Sequence, residues 1–201
     1  MSKWKRAQNF EKNWWGDCIN TYGEEEKQIV YAQKMGLKFF HNGKSPYNID
    51  LTGKSVIDIG GGPASLLLKS IRDKSCTVVD PCEYPDWVKK RYEEARIVHF
   101  QEKGENISLT VHYDEAWIYN CLQHTDNPAI ICENALKVAK IVRIFEWVDT
   151  GVHEGHPHNL TKQKLDFWLG GEGKVEMLNH YTLKGNSYYG IFKGKRYEEK
   201  V

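Results

Sequence analysis

Two aspartates and a run of three glycines carry the first chemistry that can be read from this chain. Asp58 stands two residues before Gly60-Gly61-Gly62, and Asp80 follows Asp58 by 80 − 58 = 22 residues. Val56, Ile57 and Ile59 make an apolar strand around Asp58, and Thr77-Val78-Val79 make a second strand that ends on Asp80. Glycines at such a turn permit positive φ and let a ligand approach where a Cβ would otherwise stand. A strand, glycine turn, helix, strand and acid in this spacing hold a nucleoside in doubly wound sheets, the second acid gripping the ribose hydroxyls. The helix is expected at Leu66 to Ile71. Dinucleotide sites use G-x-G-x-x-G to set a helix N-terminus against a pyrophosphate. Here Gly60-Gly61-Gly62-Pro63-Ala64-Ser65 lacks the last glycine, and Asp58 aims a negative charge at the site. That charge repels phosphate and suits a cationic ligand.

A second group of residues is able to move protons. His153-Glu154-Gly155-His156-Pro157-His158 puts three histidines within six residues. Three readings stay open: a surface loop with one packed ring, a base or substrate-binding cluster, or a metal site. Gly155 and Pro157 break any helical H-x-x-x-H face, which weighs against convergent metal ligands. The connection leaves the fifth strand at the carboxyl edge of the sheet, where open α/β folds bind ligands. Histidine is also the side chain that accepts a proton near neutral pH, so a catalytic imidazole here predicts a rate rising through the histidine range. His124, after the fourth strand, joins His153 and His156 as a candidate, with a packed or capping role as its alternative.

These residues need elements to position them. Residues 1–50 are rich in aromatics and charge, with Trp4, Phe10, Trp14, Trp15 and Tyr22 spaced as one or two amphipathic helices, and Glu24 to Leu37 as a further helix. Strands follow at 96–100, 113–119 and 141–147, with a helix from Pro128 to Lys140 between the last two. Thr161 caps a helix over Lys162 to Leu169. Val175 to Leu183 and Tyr188 to Lys193 alternate as a hairpin around Lys184-Gly185-Asn186-Ser187.

Asp58-x-Gly60-x-Gly62, followed by Asp80-Pro81, resembles the cofactor motif of the class I S-adenosylmethionine-dependent methyltransferases of the small-molecule type. The resemblance covers residues 51–147 by motif and the remainder by topology. It implies an α/β, Rossmann-like, doubly wound seven-stranded sheet in the order 3-2-1-4-5-7-6, the last strand antiparallel, with N-terminal helices. It further implies one methyltransferase domain over 1–201, with a helical lid over 1–50 and the Rossmann-like core over 51–201. S-adenosyl-L-methionine is the implied cofactor. Asp58, Gly60, Gly61 and Gly62 would face its methionine end and Asp80 and Pro81 its ribose. Glu105 or Asn106 would meet the adenine, Asn120 and Leu122 would line the exit of the fourth strand, and Tyr22 would close over the cofactor. The acceptor implied is a small molecule methylated on oxygen or nitrogen. No N-P-P-Y or Pro-Cys follows the fourth strand, which disfavours nucleic-acid bases as acceptors. A nicotinamide-dependent oxidoreductase and a cofactor-binding subunit without turnover are the rival readings.

Composition limits the classes further. The 201 residues carry a net charge of +1, so nothing global steers the chain to nucleic acid or an anionic membrane. No apolar run approaches the roughly 18 residues of a membrane span, and the start lacks a signal-like apolar core. Five cysteines without a C-x-x-C pair read as reduced thiols, and the expected location is the cytoplasm.

Overall fold

The computed structural model describes residues 2–180 and 183–195. Two helices come first, α1 (Lys3–Trp15) and α2 (Tyr22–Lys34). Short strands β1 (Phe39–Phe40) and β2 (Asn48–Asp50) lead into the first sheet strand, β3 (Val56–Ile59). The chain continues through β4 (Ser70–Ile71), β5 (Cys76–Val79), α3 (Asp86–Glu94), β6 (Ile97–Phe100) and β7 (Tyr113–Tyr119). It ends with α4 (Pro128–Val138), β8 (Ala139–Val148), α5 (Lys162–Leu169), β9 (Lys174–His180) and β10 (Leu183–Lys193).

Seven strands form the main sheet in the order β6-β5-β3-β7-β8-β10-β9. Numbered among themselves, these are 3-2-1-4-5-7-6, the order the resemblance implies. β10 runs antiparallel to both β8 and β9, while the other pairs are parallel. Strands buried on both faces read as continuous apolar runs, and β3 and β5 are buried at every residue. Tyr31 and Ala32 of α2, Met35 just after it, and Val88 and Tyr92 of α3 pack on one face with Val56, Trp117 and Phe145. Ile131, Ala135 and Leu136 of α4 and Leu165 and Leu169 of α5 cover the other face, over Ile57, Ile59 and Ile144.

Two expectations fail here. No α-helix follows the glycine turn. Two short 3-10 turns, Gly62–Ala64 and Leu66–Lys69, stand in its place, with Ser65 extended between them at φ −48° and ψ 141°. The cause is local competition for the backbone. Leu66 N–H goes to the Tyr119 hydroxyl at 3.1 Å and Leu67 N–H to Ser65 Oγ at 3.1 Å, and Ser70 then pairs with Ile49 in a three-stranded side sheet. The second failure is the position of the hairpin's turn, since β9 and β10 do pair antiparallel. Lys184 to Ser187 lie within β10, paired with Asn179 to Glu176, and the strands meet at His180 and Leu183. The Trp147 ring explains Gly185: a Cβ there would stand 3.3 Å from it, so the glycine admits an aromatic neighbour and makes no turn.

One buried ion cluster ties the layers together. Glu115, 2% exposed, accepts from Arg143 Nε at 2.7 Å, Lys54 Nζ at 2.9 Å and Trp117 Nε1 at 3.0 Å. The attraction of Arg143 and these hydrogen bonds outweigh burial and hold the Glu115 carboxyl down at about 2. Arg143 also donates to Met35 O at 2.8 Å, locking the end of α2 to the sheet. Arg143→Met should therefore cost about 2–4 kcal/mol, less than a fully orphaned buried carboxylate because Lys54 and Trp117 remain. A lower urea midpoint at unchanged m-value checks this, and a midpoint equal to the parent's refutes it.

Candidate functional site

The carboxyl ends of β3, β5, β7 and β8 open onto one cavity of about 480 Å³, closed from above by α1 and α2. Trp4, Gln8, Glu11 and Trp15 recur at steps of four, three and four residues, which is one face of a helix, and all four line it. Glu24, Lys27, Gln28 and Tyr31 of α2 form the adjoining wall.

The glycine turn is built against protein as much as toward the cavity. Gly60 has φ +76°, and a Cβ there would lie 2.5 Å from Cys121 Cβ. At Gly61 a Cβ would meet Asp58 Oδ2 at 2.6 Å. Gly62, at φ +63°, faces Trp15 with ordinary contact at 3.5 Å, so it is the glycine whose missing Cβ leaves room on the cavity side. Asp58 is fully buried and takes no part in the cavity wall. Its Oδ2 accepts from Ser65 Oγ at 2.5 Å and Tyr119 Oη at 2.6 Å, while its Oδ1 has no partner. Burial pushes its pKa up to about 7. The expectation that Asp58 aims charge into the site is corrected: it is a strut behind the turn.

Asp80 does face the cavity, at 6% exposure. It accepts from Gly62 N at 3.1 Å, Cys82 N at 2.9 Å and Tyr84 Oη at 2.9 Å, so it joins the turn to the end of β5. Burial raises its pKa against these hydrogen bonds. Pro81, Gly104 and Glu105 continue the wall. Glu105 Oε1 takes the N–H groups of Asp126 and Asn127 at 3.0 and 2.7 Å. Asn106 is turned away, exposed and bonded to Glu102 Oε1 at 2.9 Å.

The exit of β7 is strained and anchored from below. Asn120 lines the cavity at φ +50°, a left-handed conformation uncommon for a residue with a Cβ. Its Oδ1 accepts from Gln123 Nε2 at 3.1 Å. Glu146 of β8, fully buried, receives Cys121 N–H and Leu122 N–H on Oε1, both at 3.0 Å, and its Oε2 has no partner. Leu122 points into the core beneath the site, and Cys121 takes the wall position expected of it. Tyr22 is also misplaced by the sequence reading. It is 71% exposed at the start of α2, and Tyr31, nine residues or two and a half turns later, is the tyrosine of that helix that lines the cavity.

The histidines divide. His124, His153 and His156 line the cavity, whereas His158 bonds Thr125 O at 3.0 Å outside it. His153 and His156 exchange backbone hydrogen bonds at 3.1 Å, and their rings lie 3.9 Å apart. His124 Nδ1 stands 2.7 Å from Gly155 O and 3.0 Å from Glu11 Oε1, so both acceptors require a proton on that nitrogen. Burial lowers His124 to about 4 and His156 to about 3. Both imidazoles are neutral throughout the physiological range, and a rate step from their titration is displaced below it. Glu11, by contrast, is pushed up to about 7 by burial. Among the described residues no group of three or more His, Cys, Asp or Glu side chains is placed to hold a metal ion. Glu11 and Glu146 were missed in the sequence; the helical stripe of Trp4, Gln8, Glu11 and Trp15 was the available signal for the first.

No protein-family model matches the chain, and no curated protein matches it by sequence. Solved structures match it by shape. The 1,6-didemethyltoxoflavin-N1-methyltransferase of Burkholderia thailandensis, with 1,6-didemethyltoxoflavin and S-adenosylhomocysteine bound, aligns over 95% of this chain and 87% of its own, with TM-score 0.62 and 12% identity. Magnesium protoporphyrin IX methyltransferase from Synechocystis PCC 6803, with S-adenosylmethionine bound, aligns over 96% and 98%, with TM-score 0.62 and 12% identity. The N-methyltransferase NodS from Bradyrhizobium japonicum WM9, in complex with S-adenosylhomocysteine, aligns over 96% of each chain, with TM-score 0.58 and 11% identity. The chain has the Rossmann-like fold of class I S-adenosylmethionine-dependent methyltransferases.

Glu146 supplies a test of the anchor. Its folded pKa of about 7 lies above the ordinary carboxylate value, so the stability it contributes is complete at low pH and is lost as pH rises through 7. Glu146→Gln keeps an oxygen for the two N–H groups and never has to ionise. Its stability relative to the parent should therefore improve between pH 5 and 8, by on the order of a few kcal/mol. Paired thermal melts across that range measure the difference, and a constant offset would show that Glu146 keeps an ordinary pKa.

Proposed function

We propose that this protein is an S-adenosylmethionine-dependent methyltransferase that methylates an oxygen or nitrogen of a small molecule. The observation that carries the reading is Asp80, nine-tenths buried on the cavity wall and bonded to the N–H of Gly62, so that ribose-binding acid and glycine turn form one cradle. The residues present fit the cofactor. Asp80 keeps acceptor capacity on Oδ2 for a ribose hydroxyl beside the bond from Gly62, Gly62 leaves room next to it, and Pro81, Gly104 and Glu105 line the adjoining wall, where a base would lie. Gly60 and Asn120 would lie toward the methionine end. When bound, the cofactor supplies a methyl group already activated on a sulfonium.

The chain's task is then to place an acceptor in line and keep water out. The helix α1 is suited to be the lid, since Gln8 spans the cavity from Cys82 Sγ at 3.3 Å to His124 O at 3.4 Å. His124, His153 and His156 are proposed to stand on the acceptor's side. His124 is the one able to hold a proton in a defined place, because Gly155 O and Glu11 fix its Nδ1–H and leave Nε2 as the acceptor nitrogen. A nicotinamide cofactor is disfavoured by the turn itself, where two short 3-10 turns stand in place of the helix whose N-terminus would face a pyrophosphate. Among the described residues no helix is long and apolar enough to cross a membrane.

Titration calorimetry with S-adenosylmethionine, S-adenosylhomocysteine and NAD tests the reading. One site should bind the first two, and tighter binding of NAD would overturn it. Asp80→Ala should weaken both by roughly ten- to several-hundredfold, as charge-assisted hydrogen bonds of about 1.5–3 kcal/mol are lost. Asp80→Asn, which keeps an acceptor for the turn, should fall between Ala and parent.

A further inference from the structure

Building on the methyltransferase reading, we infer that the acceptor is a flat, ring-bearing molecule with a basic nitrogen, cationic in solution, and that Glu11 is the residue that selects it. The shape and the charge of the wall point the same way. Trp4, Trp14, Trp15, Tyr31 and Trp147 all reach the cavity. Lys103 already sits 3.6 Å over the Trp4 ring, and Tyr31 stacks on Phe145 at 4.2 Å. The faces of Trp15 and Trp147 remain to hold a flat ring by stacking and to attract a cation through the ring quadrupole. The ionisable lining is Glu11, Glu24, Asp80 and Glu105 against Lys27 and Lys184, a net negative wall. Lys27 is already closed on Glu24 at 2.6 Å, and Lys184 stands exposed at the rim.

Glu11 is the acid left over. Its side chain is 18% exposed, and among the described residues its ion-pair partner is the His124 ring, with Nδ1 at 3.0 Å. That ring is held neutral by burial, so it orients the carboxylate without compensating its charge. A buried carboxylate lacking a cation is costly, and a ligand ammonium would relieve that cost. An acceptor bearing a carboxylate would meet Glu11 and Asp80 instead. Glu11 also deals with the proton that blocks an ammonium from reacting. The N–H bond breaks with its electrons left on nitrogen, the proton passes to a Glu11 oxygen, and a neutral amine and a carboxylic acid result. Burial, which raises Glu11 to about 7, makes it a better proton acceptor than an ordinary glutamate.

The test uses the full chain saturated with S-adenosylhomocysteine. Benzylamine, tyramine and tryptamine are titrated beside benzoate, 3-(4-hydroxyphenyl)propionate and indole-3-propionate, with neutral indole as a ring-only control, for parent and Glu11→Gln. At least one amine should bind the parent more tightly than its acid counterpart. Glu11→Gln should weaken that amine about ten- to hundredfold while indole and S-adenosylhomocysteine bind as before. Preference for the acids, no binding of any amine, or an amine affinity indifferent to Glu11→Gln overturns the inference. So does weaker S-adenosylhomocysteine binding in the variant, which would assign Glu11 to the cofactor. Failure of the parent to bind S-adenosylhomocysteine at all would instead sink the methyltransferase reading.

Discussion

Asp58 sits at the end of β3 with its side chain excluded from solvent, and a carboxyl group in that position has to be hydrogen-bonded. It takes the hydroxyls of Ser65, beyond the glycine turn, and of Tyr119, on the neighbouring strand. Tyr119 in turn accepts Leu66 N–H, so strand, turn and the following chain share one knot of polar atoms. The lack of a Cβ at Gly61 lets the backbone pass within contact of the carboxylate. From that knot the remaining geometry follows: Gly62 is presented to Asp80, Gly60 closes on Cys121, and the carboxyl edge of the sheet becomes a concave floor.

The same contact also decides which parts of the molecule were legible in the sequence. Strands whose residues are buried on both faces declare themselves by composition, and Val56–Ile59 and Cys76–Val79 are of that kind. The missing helix after the turn was not legible, because Leu66-Leu67-Leu68-Lys69 has ample helical propensity and yields to the hydroxyls of Tyr119 and Ser65. Tertiary partners overrode local preference. Gly185 misled in the opposite direction: glycine beside asparagine suggests a turn, but here it makes space for Trp147. Asp80 was readable from spacing alone, whereas Glu146 was not, since its function lies in two backbone N–H groups some 25 residues away in sequence.

Electrostatically, the floor and roof of the cavity differ. The floor is acid held in place by backbone donors, and the roof is aromatic with one acid near neutrality. Between them stand imidazoles that burial keeps uncharged. This arrangement separates the residues that define shape from those that respond to charge. Asp80 and Glu146 are tied down by N–H groups, while Glu11 is tied to a ring whose own tautomer is set by the carbonyl of Gly155.

The helix α1 has one further consequence. Ala7 is its one fully buried residue, and beside the packing of Phe10 and Trp15 it reaches Cys82 and His124 through the polar side chains of Gln8 and Glu11. Segments with so few fully buried residues belong to the low end of local stability, where a ligand readily biases their docking. Any molecule that touches both α1 and the floor shifts the docked population. Two molecules that each do so are then thermodynamically linked, even with no atom in common, and each raises the affinity of the other by the same factor. The coupling then resides in α1 itself and not in any contact between the two ligands.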